Sequence, residues 1–520
     1  MYNNNWIDLG KYSQGPMEYP ERTMYSTWNV SFQQVQAQDP VAAELLTLMA
    51  YLENQDLWYE LFAVEVKDAP AWWIEMSKSR ARFNQAMMTL HNSSLLEVSE
   101  GHYSLHPCEH DWILEHLNRD FDQERCRIAI HCVAENVREE IKVDYWVENW
   151  RLVPHARRFR HNRIHAVTEW SGIEPDDLRW IAYLYEKGRM SVEAEGMYME
   201  ALEGFKKSLG LEHNSTLQTF YNLGRLYLEQ GKFIEAEKMC MQALQGFEKI
   251  LGSEHKSTLD TVYYLGILYQ EQGKIMEAEE MFVRVLQGYE KILGFEDKST
   301  LDAAHNLAML YKLQGRFNEA EKMFMQALQG YKKILGSEHL STLVTVNNLG
   351  NLYKEQGRLI EAEKMYMQAL QRFKKTLGFE HILILRTINK LCILYKDQGR
   401  LIEAEQMYMG ALQGYKKILG SEHTSTLNTL KNLGVLYNDQ RKIMEAESLP
   451  LRTAQGSEKT VGKDRPTTQM YARNLDPVRD KKAKALGDKQ TKEMNRQTKS
   501  HLARLFSVRP VRYWYQRRSS

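Results

Sequence analysis

The sequence predicts a mainly α chain, a long stack of helical hairpins behind a small α+β module. Three observations carry that expectation. A 42-residue period runs through more than half of the 520 residues. Pro numbers only 11, and proline interrupts helices. Ten of the eleven Trp lie between Trp6 and Trp180, so the front of the chain obeys a different rule from the rest.

The period is held by three markers in register. Leu-Gly recurs at Leu209-Gly210, Leu251-Gly252, Leu293-Gly294, Leu335-Gly336, Leu377-Gly378 and Leu419-Gly420. Glu-Ala-Glu recurs seven times, from Glu193-Ala194-Glu195 to Glu445-Ala446-Glu447, and a tyrosine keeps step from Tyr185 to Tyr437. Self-similarity at this length means stacked supersecondary units, none of which can bury its apolar face alone. Within one unit, Ser215 and Thr216 are suited to cap a helix. Leu217, Phe220, Leu223, Leu226 and Tyr227 then share one helical face. A turn at Gly231 follows, and Ile234, Ala236, Met239, Ala243, Leu244, Phe247 and Leu251 lay out a second amphipathic helix. Gly252 stands where a left-handed C-cap is needed, and Gly224 and Ala236 are small where the two helices cross.

The array decays at its end. Arg441 replaces the turn glycine of the seventh unit, and Pro450 falls where its second helix needs an aromatic. An eighth start is legible in Val461-Gly462 and Asn474-Leu475 before Asp476-Pro477 stops it. Lys+Arg and Asp+Glu are both 68, but the zero net charge is a sum. Residues 477–520 hold 13 basic side chains against Asp480, Asp488 and Glu493, leaving the rest of the chain equally acidic. The expected organisation is therefore a module over 1–170, about seven units over 172–458, and a degenerate unit with a basic, disordered tail over 459–520.

In the front, Val41–Tyr51 and Arg82–Leu90 are expected as helices, Leu95–Val98 and His102–Leu105 as a short β-hairpin, and Asp111–Leu117 and Arg125–Arg138 as further helices. Helices leading into a two-stranded wing predict a winged-helix-like module.

The pattern Leu223-Gly224-x-x-Tyr227, Ala236, an aromatic position (Tyr366 and Tyr408; Cys240 here) and Ala243 resembles the tetratricopeptide repeat. The 42-residue form, with LGxEHxSTL between units, is similar to the repeats of kinesin light chains. Departures are Cys392 at the small glycine, Val285 at an alanine, and Ile382-Leu383-Ile384-Leu385 where the Ser-Thr pair belongs. The resemblance implies a right-handed superhelix that binds proteins through its concave face. The words TWNVSF, DPVAAELLTLMAYLENQDLWYELF, YSLHPCEHDW and Leu152-Val153-Pro154-His155-Ala156 resemble the region after the nucleotide-binding core of fungal-type NB-ARC/NACHT proteins, signalling ATPases of the STAND class. That resemblance implies a histidine contacting the phosphate of ADP; only His106 matches it, with Leu105 in place of the usual methionine. It also implies an ATPase core ahead of these words, missing or upstream. A phosphate-cradling G-x-x-x-x-G-K-[S/T] loop occurs nowhere in the 520 residues, so ATP hydrolysis by them is not expected.

Bland chemistry accounts for most other candidates. His102, His106, Cys108, His110, Cys126, His131 and Cys132 lack the spacing of a zinc site, and no metal or other cofactor is expected. The periodic His213, His255, His339, His381 and His423, with Asp297 in sixth place, recur once per unit, about 10 Å apart. They are expected in loops, not on a shared ion. The two carboxylates of Glu-Ala-Glu point to different faces, so a solvated or salt-bridged helix start is expected instead of an acid–base pair. Met239, Met241, Met323, Met325, Met365, Met367, Met407 and Met409 are expected to pack.

The faces of the first helices are the better candidates. The position before the Leu-Gly core is Asn222, Tyr264, Asn306, Asn348, Lys390 and Asn432, and an amide both donates and accepts, as an extended peptide backbone requires. Arg225 and Asn351 lie three positions on, and Lys312, Lys354 and Lys396 six. Arg386 and Lys431 add to a basic later half, while Asp260, Glu271 and Asp302 make the earlier half acidic. The expected function is a non-enzymatic scaffold binding peptides or proteins, acidic segments in its later repeats; the alternative is the sensor half of a STAND ATPase working beside a nucleotide-binding chain. Five scattered Cys, no signal peptide and no apolar run of membrane-spanning length place it in the cytoplasm, with a basic tail suited to nuclear import. Neither a membrane nor a nucleic acid is an expected partner.

Overall fold

The computed structural model describes residues 19–119, 122–141, 146–161, 172–378 and 381–440. The readings at Arg441, at Pro450 and over 459–520 lie outside them. The chain divides into two compact units, Met1–Ala278 and Glu279–Ser520, the boundary falling within the helix Ile275–Ile292.

The repeat is a helical hairpin, and Asn214–Glu229 with Phe233–Leu251 shows how its sequence makes it. Leu217, Phe220, Leu223, Leu226 and Tyr227 are buried against Ala236, Cys240, Ala243, Leu244 and Phe247. Ile234, expected on that face, is 82% exposed, and Leu251 is exposed as well. The first helix closes at Gly231, which has φ 73°, with Gly231 N–H donating to Leu228 O and Lys232 N–H to Tyr227 O. A Cβ on Gly224 would stand 2.4 Å from Cys240 Sγ, so the close crossing inferred there is real. At Gly252 φ is positive as expected, but ψ is 166°, an extended conformation open only to glycine and not a left-handed helical turn.

The helix caps are the main correction. Ser215 and Thr216 do not cap; His213 does, its Nδ1 accepting the Ser215 N–H at 3.2 Å. His255, His339, His381 and His423 repeat that bond at 3.1–3.2 Å, and Asp297 Oδ1 makes it at 2.8 Å. The histidines lie in loops as expected, each at the last loop position, where it is the N-cap of the helix that follows. The Thr of each Ser-Thr pair works one turn on: Thr216 Oγ1 donates to Gly210 O at 2.7 Å, and Thr258, Thr300, Thr342 and Thr426 do the same to the glycines six residues before them.

Among the described residues Glu-Ala-Glu joins one hairpin to the next. The second carboxylate of the triplet makes the contact: Glu237 in the first unit accepts from Tyr269, Gln272 and Lys274. Glu321 in the second unit accepts from Tyr353 at 3.0 Å and Arg358 at 2.9 Å, and Glu279 and Glu363 take the matching Gln and Arg. The Arg or Lys also lies over the repeat tyrosine, Arg358 4.1 Å from the Tyr353 centroid and Arg400 3.8 Å from that of Tyr395. The methionines divide: Met323, Met365 and Met407 pack against the core, whereas Met325, Met367 and Met409 are about half exposed.

The front of the first unit contains the expected helices and hairpin. The helices are Tyr19–Gln38, Pro40–Met49, the short Tyr59–Phe62, Ala71–Ser77, Arg80–Asn92, Pro107–Trp112, Gln123–Ile141 and Trp146–His161, with a π turn over Ile113–Leu117. Asp39 caps Pro40–Met49 and takes the Arg82 guanidinium at 2.6 and 2.9 Å. Strands Glu97–Ser99 and His102–Ser104 pair antiparallel through a turn with positive φ at Glu100 and Gly101. Leu152, Val153, His155 and Ala156 are buried, and Tyr185 Oη donates to Ala156 O at 2.9 Å, so this word is the packed junction to the first hairpin. His131–Asp177 and Arg138–Asp176 reinforce it. Among the described residues no helix is long and apolar enough to cross a membrane.

Candidate functional site

In the second unit the first helices are Lys298–Leu313, Leu340–Glu355, Ile382–Asp397 and Thr424–Asp439. Their apolar faces turn inward, leaving the polar positions of each helix side by side with those of the next. His305 Nδ1 lies 3.0 Å from Thr345 Oγ1, which itself donates to Ser341 O. The ring therefore carries its proton on Nδ1, and Nε2 accepts from Asn348 at 3.1 Å. Asn348 Oδ1 accepts from Asn351, and Asn351 Oδ1 accepts the Tyr366 hydroxyl at 2.7 Å. Burial pushes His305 down to about 4, consistent with a neutral ring. One step along, Asn347 and Asn389 repeat the His305 contact, donating to Thr387 and Thr429.

The sequence places Asn306, Asn348, Asn351, Lys312, Lys354, Lys390, Lys396 and Asn432 on this face, but the structure gives them unequal surroundings. Lys312 pairs with Glu355 at 3.0 Å and Lys354 with Asp397 at 3.3 Å. Lys396 lies 3.8 Å from Asp397 and 4.0 Å from Asp439. Lys390 is different. It is half-buried, its ammonium 6.0 Å from the Tyr366 centroid, and among the described residues no carboxylate pairs with it. Burial, with Arg386 and Lys312 nearby, pushes it down to about 8. Asn306 and Asn432 are half-buried on the same face.

In the first unit, Asn222 is buried and accepts from Gln218, so it is a packing residue more than an open contact. Arg225 binds both carboxylate oxygens of Glu186 at 2.7 and 2.8 Å, with side chains 16% and 4% exposed. His106 caps Pro107–Trp112 and its Nδ1 accepts the Cys108 N–H at 3.3 Å. Cys126 and Cys132 are buried, His110 donates to Leu52 O, and no group of three or more metal-ligating side chains gathers among the described residues. Sequence reasoning missed His305, Asn347 and Asn389; their recurrence one position before Asn306, Asn348 and Lys390 was the available signal.

Residues 178–239, 227–291, 299–375 and 383–450 each match the tetratricopeptide repeat family, so the hairpin array consists of tetratricopeptide repeats. Such repeats generally mediate protein–protein interactions. Among solved structures, the chain is similar to a Podosopora anserina kinesin-light-chain protein of nearly identical TPR-like repeats, at 28% identity over 43% of this chain and 98% of that one, TM-score 0.35. A Pyrococcus horikoshii STAND protein with a tetratricopeptide repeat sensor is similar over 85% of this chain and 62% of its own, at 16% identity and TM-score 0.55. A Rap protein complexed with competence and sporulation factor matches at 14% identity over 69% of this chain and 99% of its own, TM-score 0.40. No curated protein matches the chain.

Proposed function

We propose that the chain is a protein-binding scaffold without catalysis of its own, and that the first-helix face of its second unit holds an extended acidic segment of a partner. The observation that carries this reading is Lys390, a half-buried cation without a carboxylate partner among the described residues. Its neighbours fit the same ligand. Asn348 and Asn351 supply amides, and Lys312, Lys354 and Lys396 hold their own carboxylates. A ligand carboxylate beside Lys390 would compensate a charge that the chain leaves uncompensated. Titrating the full chain with a glutamate-rich peptide tests the reading: Lys390→Glu should weaken binding by at least roughly tenfold, and an unchanged affinity would refute it.

A second reading is the regulatory and sensor half of a STAND-type signalling ATPase, with the front as its winged-helix-like module and His106 facing nucleotide. Its support is that the likeness to the Pyrococcus horikoshii protein spans 85% of the chain, more than the repeats alone. The β-hairpin flanked by helices suits such a module. Capture with the full chain should then recover a P-loop ATPase in a nucleotide-dependent manner. Recovery only of partners lacking a P-loop would count against it.

A further inference from the structure

The first-helix face of the first unit is chemically unlike that of the second. Where the later repeats carry His305, Asn306, Asn348 and Lys390, the earlier ones carry Trp180, Tyr183, Tyr221, Tyr263 and Tyr264, all half-buried. The rings meet edge to face: Trp180 and Tyr183 have centroids 6.1 Å apart, and Tyr264 lies 5.5 Å from both Tyr221 and Tyr263, at interplanar angles of 78–89°. The Arg225 charge is near enough to act on Tyr183, Tyr221 and Tyr264.

Three cations of this surface are matched by carboxylates inside the chain. Arg225 is held by both oxygens of Glu186, Arg179 by Asp176 at 2.5 Å, and Lys256 by Asp260 at 2.9 Å. Lys187, at the edge, lies over the Tyr183 ring at 4.9 Å. A cationic residue would need a spare carboxylate here, and the Lys187 cation already lies over the face of Tyr183. What the surface offers is aromatic faces and phenolic hydroxyls, the lining that receives polyproline helices.

We infer that the aromatic face around Tyr183, Tyr221 and Tyr264 docks an uncharged, proline-rich segment of a partner protein. This site is independent of Lys390 and of the acidic ligand proposed for the second unit. The probe is a ten-residue polyproline peptide titrated calorimetrically into the full chain. Binding should occur and hold its affinity between low and high salt, because no net charge is exchanged. Tyr264→Ala and Tyr183→Ala should each weaken it by about tenfold, near the worth of one ring contact. Tyr264→Phe, which keeps the ring and guards against misfolding as an explanation, should stay within about threefold, and Lys390→Glu should change nothing. No binding by the unaltered chain, a strong salt dependence, or full affinity in both alanine variants would overturn the inference.

Discussion

His305 carries a pH dependence that its sequence neighbours do not. Its pKa in the folded chain is held near 4, below the ordinary value of 6.5, so the unfolded chain takes up the proton first as pH falls. Stability from this site is full above about pH 6.5 and drains as the pH drops toward 4, by at most about 3 kcal/mol. His305→Asn, the residue found at 347 and 389, keeps a donor for Thr345 and removes the titration. The fall in thermal midpoint between pH 7 and pH 4 should therefore be smaller in His305→Asn than in the parent chain; an equal fall would place the acid sensitivity elsewhere. The caps give a second test at this scale. His339→Ala should cost about 1 kcal/mol, while His339→Asp should cost little, because Asp297 already serves as such a cap. Equal unfolding midpoints for the two variants would contradict the capping role. The cap was not legible because Ser and Thr are commoner N-caps than His. The recurrence of His at a fixed step was plain, but the direction of its Nδ1 was not.

At the scale of elements, the hairpins were legible because their period survives seven copies, and helix boundaries follow once Gly231 and its equivalents are recognised as turns. What the period hides is which charge meets which. Lys354 finds Asp397 43 residues away, and Glu321 finds Arg358 at 37, spacings that no single helix face suggests. The row of lysines therefore looked uniformly open in sequence, although only packing distinguishes Lys390 from Lys312, Lys354 and Lys396. Glu321 is the contact that couples one hairpin to the next through Tyr353 and Arg358. Glu321→Ala should lower the unfolding midpoint only slightly, because the pair is partly exposed. Its signature is local: amide exchange should quicken between 353 and 358. Unaltered exchange there would mean that apolar packing alone holds the hairpins in register.

At the scale of the whole molecule, one repeated hairpin presents two different surfaces, aromatic in the first unit and amide-rich and basic in the second. The backbone scheme is common to all copies, so the difference lies in a few outward positions that the buried core leaves free to vary. That freedom is what suits tetratricopeptide repeats to partner binding, and it concentrates the account on Lys390. The direct measurement is the affinity of the full chain for a glutamate-rich peptide, taken for the parent and for Lys390→Glu across pH 6 to 9. Because Lys390 loses its proton near pH 8, parental binding should be tight below that value and weaken above it, and Lys390→Glu should bind weakly throughout. A parental affinity that is flat across this range and equal to that of Lys390→Glu would contradict the account.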